Sequence, residues 1–154
     1  MDNVLAFLTM IGMSEGTIQV AGSENGYNVI VGGKLFSSYA DHPRKEVWIP
    51  RLVIFSSAAG RYQIEVKWFD AYKKLLGLPD FSPKSQDAIA VKMITECDAK
   101  NDIYEGNLFM AVTKCSSRWA SLPGNDYGQR EIRLKTLRAY YTGAGGTIAE
   151  TNNV

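Results

Sequence analysis

One glutamate has the setting that proton-transfer chemistry requires. Glu15 follows an apolar, helix-forming segment at residues 3–13 and is followed at once by Gly16. We therefore expect its carboxylate to leave the end of a rigid helix where the backbone turns. A helix dipole disfavours negative charge at its C-terminal end, so we expect the pKa of Glu15 to be raised. Such a group can donate a proton and then take one back. The alternative is a solvated surface glutamate.

Other reactive side chains form no comparable constellation. Cys97 and Cys115 belong to no CxxC motif and no Cys/His cluster, and His42 is the only histidine. Tetrahedral metal sites need several such ligands, so we expect no metal and no cofactor. The two thiols are expected to be reduced and buried, which is the common state of free cysteine.

Composition and charge narrow the class of protein. The chain has 154 residues, 45% of them hydrophobic and 21% charged, which predicts one soluble domain over residues 1–154. The formal net charge is +1, and no basic stripe is present, so a nucleic-acid partner is not expected. No run approaches about 18 apolar residues, so we expect no membrane insertion. The acidic start also lacks the positive region of a signal peptide.

The hydrophobic pattern predicts a mostly helical chain with a small β-hairpin, which is an α+β fold. Residues 27–31 have strand character, residues 32–33 are two glycines, and residues 34–36 return. This order predicts an antiparallel hairpin. Residues 37–59 form a connection of a length that favours a binding or lid role. The alternative is a further strand at residues 52–55.

Four later helices are predicted by apolar spacing and by stop and start residues. One begins near Gly60, carries Ile64, Trp68, Tyr72, Leu75 and Leu76 on one face, and ends at Gly77; the next is opened by Ser82 and Pro83; the third is capped by Asn107; the last spans about residues 129–142. Residues 98–106 are predicted as a polar link, and residues 147–154 as a fraying tail.

Several aromatic and amide side chains at the beginnings of elements are typical of a saccharide cleft. Sugar rings have apolar CH faces and polar edges, so aromatic planes and amides bind them with little charge. The candidates are Tyr62, Gln63, Trp119, Ser121, Tyr127 and Gln129. For each tryptophan the alternative is core packing. His42 is expected to hold its own loop by local hydrogen bonds, and the alternative is a role as a substrate ligand. Arg61 could pair with an acidic group of the protein or with a carboxylate of a muropeptide, and the sequence leaves both open.

Blocks of the chain then carry a recognisable pattern in one order: residues 14–17, 26–36, 41–45, 59–63, 68, 70–72, 76–78, 80–88, 119–124 and 127–129. In register from about residue 5 to 146, they resemble the lambda-type phage endolysins. The chain departs from that pattern at residues 18–25, 46–56 and 92–108. If residues 46–56 form a lip of a cleft, its contacts differ from those of the family.

The resemblance implies a lysozyme-like fold with a small sheet lobe beside a substrate cleft. It implies a lytic transglycosylase that cleaves peptidoglycan between N-acetylmuramic acid and N-acetylglucosamine and leaves a 1,6-anhydro product. Glu15 matches the family's catalytic glutamate. Gly60, Tyr62 and Gln63 match a wall of the sugar groove, and Tyr127 lies in a segment beside it.

The residues are consistent with that chemistry. Glycoside hydrolysis by water uses two carboxylates, about 5–5.5 Å apart in retaining enzymes and about 6.5–9.5 Å apart in inverting enzymes. Glu15 is the one strong candidate, although Glu24, Asp41 and Asp70 remain possible partners. An intramolecular attack by the muramic C6 hydroxyl needs no second carboxylate and gains from high effective molarity.

Three alternatives stay open from the sequence: a muramidase that uses water, a peptidoglycan-binding module without turnover, and a structural or interaction protein. The resemblance also implies a role in host-cell lysis. We expect a monomer that accumulates in the host cytoplasm. It would reach the periplasm and cell wall after a separate holin-like protein has permeabilised the inner membrane.

Overall fold

A computed structural model describes residues 2–124 and 131–150 of the chain. Most of the elements in these residues are helices, and two short strands form one small sheet. This confirms the predicted α+β class. The elements in order are α1 (Asn3–Ser14), β1 (Val47–Ile49), β2 (Ile54–Ser56), α2 (Val66–Leu76), α3 (Pro83–Glu96), α4 (Lys100–Tyr104), α5 (Leu108–Cys115) and α6 (Leu134–Gly143). No helix among the described residues has the length and apolarity needed to cross a bilayer.

The chain divides into two compact units. The first unit contains Met1–Ser14 and Val91–Val154, and the second contains Glu15–Ala90. The chain therefore passes between units directly after α1 and again within α3. A single domain over residues 1–154 stays a prediction.

In the first unit, α1 packs against α4 and α6, and α4 packs against α5. Asp2 begins α1, because its carboxylate accepts a hydrogen bond from the Val4 amide at 2.8 Å. The rings of Phe7 and Tyr141 meet edge to face with centroids 6.5 Å apart. Both rings are buried, so the apolar face of α1 forms the centre of this unit.

Three predictions within the first unit are wrong. The predicted polar link contains α4, with Ile103 buried. The last helix begins at Leu134 rather than near residue 129. The tail does not fray throughout, since the Thr147 amide donates to Asn3 Oδ1 at 3.0 Å and the Ala149 amide donates to the Gly106 carbonyl at 3.2 Å. Residues 151–154 lie outside the described residues.

In the second unit, the sheet lies in the segment that was predicted as a long connection. β1 and β2 are antiparallel, with Trp48 opposite Phe55. The predicted hairpin at residues 27–36 is a tight turn with one isolated bridge, between Val29 and Leu35, rather than two strands. The alternative prediction of a strand at residues 52–55 is close to β2.

α2 ends as predicted but begins later and buries a different face. Gly77 has φ of 64° and stops the helix in the left-handed conformation. The helix begins at Val66, because residues 60–64 form a turn. Phe69 and Tyr72 are buried, whereas Trp68 and Leu75 are exposed. The face predicted from apolar spacing is therefore only partly buried.

The caps of α3 and α5 are confirmed. Ser82 Oγ accepts a hydrogen bond from the Ser85 amide at 3.4 Å, and Pro83 is the first residue of α3. Asn107 Oδ1 accepts a bond from the Met110 amide at 3.4 Å. These caps fix where each helix starts.

Candidate active site

Glu15 is the first residue after α1 and the first residue of the second unit. It is half-buried, and Gly16 after it has φ of 75°. That left-handed conformation favours glycine and turns the chain sharply. The predicted placement of Glu15, at a turn directly beyond a helix end, is therefore confirmed.

The residue before Glu15 is held by two hydroxyl bonds in the first unit. Ser14 Oγ donates to the Ile11 carbonyl at 2.8 Å, and Ser121 Oγ donates to Ser14 Oγ at 3.1 Å. Both serines are buried. Because buried hydroxyls lose their bonds to water, these contacts fix the last turn of α1 and the start of the Glu15 peptide.

The residue two positions after Glu15 is held in the second unit. Thr17 is buried, and its Oγ1 donates to the Arg61 carbonyl at 2.7 Å. Gly26 has φ of 83°, and a Cβ there would lie 2.7 Å from Thr17 Oγ1. A side chain at position 26 would therefore displace Thr17. Glu15 thus sits between two anchored neighbours.

The loop at residues 60–63 is fixed from α3 by one buried amide. Gln86 is fully buried; its Nε2 donates to the Tyr27 carbonyl at 3.0 Å and to the Phe81 carbonyl at 2.9 Å, and its Oε1 accepts from the Arg61 amide at 2.9 Å. Gly60 has φ of 82°, and a Cβ there would collide with Gln86 and Phe81. Only glycine allows this close approach.

A cluster of two tyrosines, an aspartate and an arginine extends this support. Asp87 Oδ1 accepts hydrogen bonds from the hydroxyls of Tyr62 at 2.6 Å and Tyr27 at 2.9 Å. Arg61 Nη1 donates to the Tyr27 hydroxyl at 2.8 Å, and its guanidinium lies 5.0 Å from the centre of that ring. Burial is the main cause that raises the pKa of both tyrosines, so both hydroxyls stay protonated donors. The sequence left the partner of Arg61 open, and in the structure Arg61 contacts the ring and the hydroxyl of Tyr27.

Three of the described groove candidates are buried, and a fourth, Gln63, is half-buried. Tyr62 is 0% exposed, and Gly60 is covered. The half-buried Gln63 donates from Nε2 to the Gly60 carbonyl at 2.9 Å. Ser121 is buried against Ser14. The expectation that the Tyr62 side chain faces a groove is corrected, because its ring is fully buried and its hydroxyl donates to Asp87. Substrate binding by Gly60, Gln63 and Ser121 stays a prediction. Tyr127 and Gln129 lie outside the described residues.

His42 has the structural role that the sequence predicted. Its Nδ1 accepts a hydrogen bond from the Arg44 amide at 2.9 Å, so the proton is on Nε2, which donates to the Ile64 carbonyl at 2.8 Å. Its ring packs against Phe69 and Phe81. Burial lowers the pKa of His42 and favours this neutral form.

The three other candidate carboxylates are engaged elsewhere in the second unit. Arg44 forms ion pairs with Asp41 at 2.7 Å and with Asp70 at 2.6 Å. These bonds hold the pKa of both carboxyls below the usual range. Glu24 is exposed, and its Oε1 accepts the hydroxyl bond of Tyr39 at 2.8 Å. None of the three has the helix-end setting of Glu15.

The sheet presents an aromatic surface that the sequence interpretation missed. Trp48 and Phe55 are 46% and 62% exposed, with ring centroids 5.0 Å apart. The turn between their strands holds Val53 at φ of 54°, a strained conformation for a β-branched residue. The signal for this surface was available in the sequence. Once residues 47–56 are assigned to two strands, two aromatic side chains stand at opposite positions of a short hairpin.

Across residues 2–124 and 131–150, no three His, Cys, Asp or Glu side chains lie together as metal ligands would. The free thiols of Cys97 and Cys115 do lie in contact, but Cys97 is only half-buried. The prediction that both thiols are buried is wrong for Cys97.

Comparison with known proteins places the chain in a family. The model of the Endolysin family matches residues 5–148. The chain is 51% identical to the endolysin of Escherichia phage lambda over 148 residues, covering 94% of this chain and 92% of that protein. It is 43% identical to the endolysin of Escherichia phage P2 over 158 residues, covering 96% of each.

Solved structures agree with that assignment. Bacteriophage lambda lysozyme complexed with a chitohexasaccharide matches with a TM-score of 0.92 at 47% identity over 97% of each chain. A second structure of lysozyme from bacteriophage lambda matches with a TM-score of 0.88, at the same identity and coverage. The lysozyme-like fold expected from the sequence is therefore confirmed, and this chain belongs to the endolysin family.

Proposed function

We propose that this endolysin is a peptidoglycan lytic transglycosylase. It would cleave the β-1,4 bond between N-acetylmuramic acid and N-acetylglucosamine and form a 1,6-anhydro-N-acetylmuramic product. The observation that carries this proposal is the setting of Glu15, which leaves the end of α1 between two anchored neighbours. The other candidate carboxylates, Glu24, Asp41 and Asp70, are bonded to Tyr39 or Arg44.

Glu15 performs both proton transfers in this scheme. The protonated carboxyl gives its proton to the glycosidic oxygen as the bond to the muramic C1 breaks. The resulting carboxylate then takes the proton from the muramic C6 hydroxyl, whose oxygen bonds to C1. The nucleophile is already tethered to the reacting ring, so no water has to be positioned. Glu15 ends in its starting protonation state.

The surrounding residues hold Glu15 in a fixed position. Ser14 and Thr17 hold the backbone on either side of Glu15. Thr17 is bonded to the loop of residues 60–63, and Gln86 holds that loop. Gly60, Tyr62, Gln63 and Ser121 are therefore proposed as positioning residues, whereas Tyr127 and Gln129 stay proposed substrate contacts.

The substrate is proposed to be a glycan strand. Lambda lysozyme was solved as a complex with a chitohexasaccharide. This supports an oligosaccharide ligand for the present protein as well. Trp48 and Phe55 offer exposed rings in the same unit as Glu15. Such rings can cover the apolar CH faces of sugars, so we propose them as glycan contacts.

A muramidase that uses water is the second candidate, favoured by the lysozyme name of the solved relatives. The masses of the fragments released from purified peptidoglycan separate the two reactions. A transglycosylase leaves anhydro ends that are about 18 Da lighter than reducing ends, because no water is added. Release of reducing ends alone would overturn the proposal. Absence of any fragments would favour a binding module.

The biological setting is proposed from the family. A monomeric endolysin would accumulate in the host cytoplasm and reach the wall after a holin-like protein opens the inner membrane. Fractionation of producing cells tests this order. Enzyme recovered in the periplasm while the membrane is still intact would contradict it.

A further inference from the structure

We propose that Cys97 and Cys115 are a modification site, at which a low-molecular-weight disulfide such as oxidised glutathione converts the two thiols into an intramolecular disulfide. Both residues belong to the first unit of the fold. This inference is independent of the proposed glycan chemistry, because it concerns residues with no role in that reaction.

The backbone segments that carry the two cysteines lie side by side. Cys97 follows directly after α3, and Cys115 is the last residue of α5. The side chains of the two cysteines interact with each other. Disulfide formation brings the sulfurs to about 2.05 Å, with the Cα atoms about 5.5–6 Å apart. The neighbouring positions of the two segments allow the side chains to adopt that geometry.

Contacts on both sides of the thiol pair hold these segments together. Before Cys97, Glu96 Oε1 lies 3.5 Å from Arg118 Nη2. After Cys97, the Asp98 carbonyl accepts a bond from Lys114 Nζ at 3.1 Å. The cysteines are therefore flanked by a pair of cross-segment bonds, which makes their juxtaposition a property of the packing rather than of one rotamer.

Exposure and charge assign different roles to the two thiols. Cys97 is half-buried, whereas Cys115 is fully buried. The hydrogen bond from Cys115 is the main cause that lowers the pKa of Cys97 to about 7; Ser117 and Arg118 add to it, while burial and Glu96 oppose it. The bond to Cys97 and burial raise the pKa of Cys115. Cys97 is thus the attacking thiolate and Cys115 the resolving thiol.

The chemistry balances in two exchange steps. The Cys97 thiolate attacks one sulfur of oxidised glutathione, forms a mixed disulfide and releases one glutathione thiolate. Cys115 then loses its proton and attacks the Cys97 sulfur, which forms the intramolecular bond and releases the second thiolate. The protein dithiol is oxidised by two electrons and the reagent disulfide is reduced by two. The protons from the protein thiols end on glutathione.

The product would close a loop around α4, which lies between the two cysteines in the chain. A bond across a loop of this size restricts the unfolded chain and stabilises the fold. Reducing compartments would keep the thiols free, whereas an oxidising environment would form the bond.

Oxidised glutathione added to the full-length protein tests the inference. The expected products are a protein about 2 Da lighter, with no thiol left for a labelling reagent and a Cys97–Cys115 peptide link. Its melting temperature should rise roughly 5–10 °C above that of the reduced form. A protein that stays reduced, or one carrying glutathione without the internal link, would overturn the proposal.

Two single variants separate the roles of the thiols. Cys115→Ala should accumulate a stable glutathione adduct on Cys97, because no resolving thiol remains. Cys97→Ser should stay unmodified, because Cys115 is buried. The circular dichroism of each variant shows whether it is folded before the assay, and Cys115→Val replaces the alanine if it is not. Modification of folded Cys97→Ser at the same rate as the parent, or no adduct on folded Cys115→Ala, would contradict the assignment.

Discussion

The hydroxyl of Ser121 donates a hydrogen bond to the hydroxyl of Ser14, 3.1 Å away, although the two residues are 107 positions apart in the chain. Ser14 in turn donates to the Ile11 carbonyl in the last turn of α1. Glu15 follows directly. The loop at residues 119–124 therefore anchors the residue that directly precedes Glu15 through the buried hydroxyls of Ser121 and Ser14.

Ser121→Ala tests this relay. The variant should lose one buried neutral hydrogen bond and about 0.5–1.5 kcal/mol of stability, measured by urea unfolding. Its kcat should fall more than its KM changes, because Glu15 loses an anchor and no substrate contact is removed. Ser117→Ala, at an exposed position, is the matched control and should match the parent. A rise in KM alone would instead indicate that Ser121 binds substrate.

Glu15→Gln tests the proposed acid and base. The amide cannot donate or accept the proton, so the rate of cell-wall clearance should fall by about 100-fold to 10,000-fold. Glu24→Gln makes the same change at an exposed position of the same unit and should retain activity. A Glu15→Gln enzyme as active as the parent would refute the mechanism.

Asp41→Asn and Asp70→Asn test for a second catalytic carboxylate. Each variant weakens the exposed ion pairs of Arg44 but should keep the parent's product masses and most of its rate. A loss comparable with that of Glu15→Gln, in a folded protein, would indicate a two-carboxylate hydrolase.

Gln86→Glu tests the support of the loop at residues 60–63. The change keeps the size of the side chain but removes the amide donor that binds the carbonyls of Tyr27 and Phe81. The variant should lose roughly 2–5 kcal/mol of stability, because buried acceptors are left unpaired and a charge is buried. Gln19→Glu, at an exposed site, is the control. Equal unfolding midpoints for both variants would contradict the proposed support.

His42 predicts how stability depends on pH. The pKa of His42 in the folded protein lies below the ordinary value of 6.5. The contribution of His42 to stability is therefore complete above pH 6.5 and is lost as the pH falls from 6.5 through the folded pKa. His42→Gln should flatten this part of the profile. A second loss below about pH 4 should persist in both proteins, because Arg44 lowers the pKa of Asp41 and Asp70. Guanidinium unfolding at successive pH values measures both; an unchanged profile in His42→Gln would contradict the first assignment.

Trp48→Ala tests the proposed glycan contact. Because the ring is 46% exposed, its loss should change stability little but raise KM for soluble glycan about twofold to tenfold, as expected for one aromatic contact. Trp68→Ala removes a comparably exposed ring, 42% exposed, from α2 and is the control. An equal effect of both variants would show that the sheet has no special role.

Features set by neighbouring residues were predictable. Asn107 and Ser82 cap their helices, and Gly77 ends α2 in the left-handed conformation. Each depends on bonds within a few residues, so sequence spacing is sufficient. The apolar segment before Glu15 and the glycine after it likewise predicted a helix end followed by a turn.

Features set by distant contacts were not predictable. Tyr62 is of a residue type that often binds sugars, but its hydroxyl donates a hydrogen bond to Asp87 and its ring is fully buried. In α2 the buried ring is Phe69 rather than its neighbour Trp68, because the packing partners Phe81 and His42 lie elsewhere in the chain. Adjacent aromatics give no periodic signal that separates them.

The sequence by itself determined the α+β class, the family and the identity of Glu15 as the catalytic candidate, because short motifs and local caps carry that information. Only the tertiary structure decided which side chains anchor Glu15, since Ser121 and Gln86 act across long separations in sequence. It also decided that Cys97 and Cys115 meet. Hydrogen bonds and burial of this kind depend on three-dimensional packing, which residue spacing does not encode.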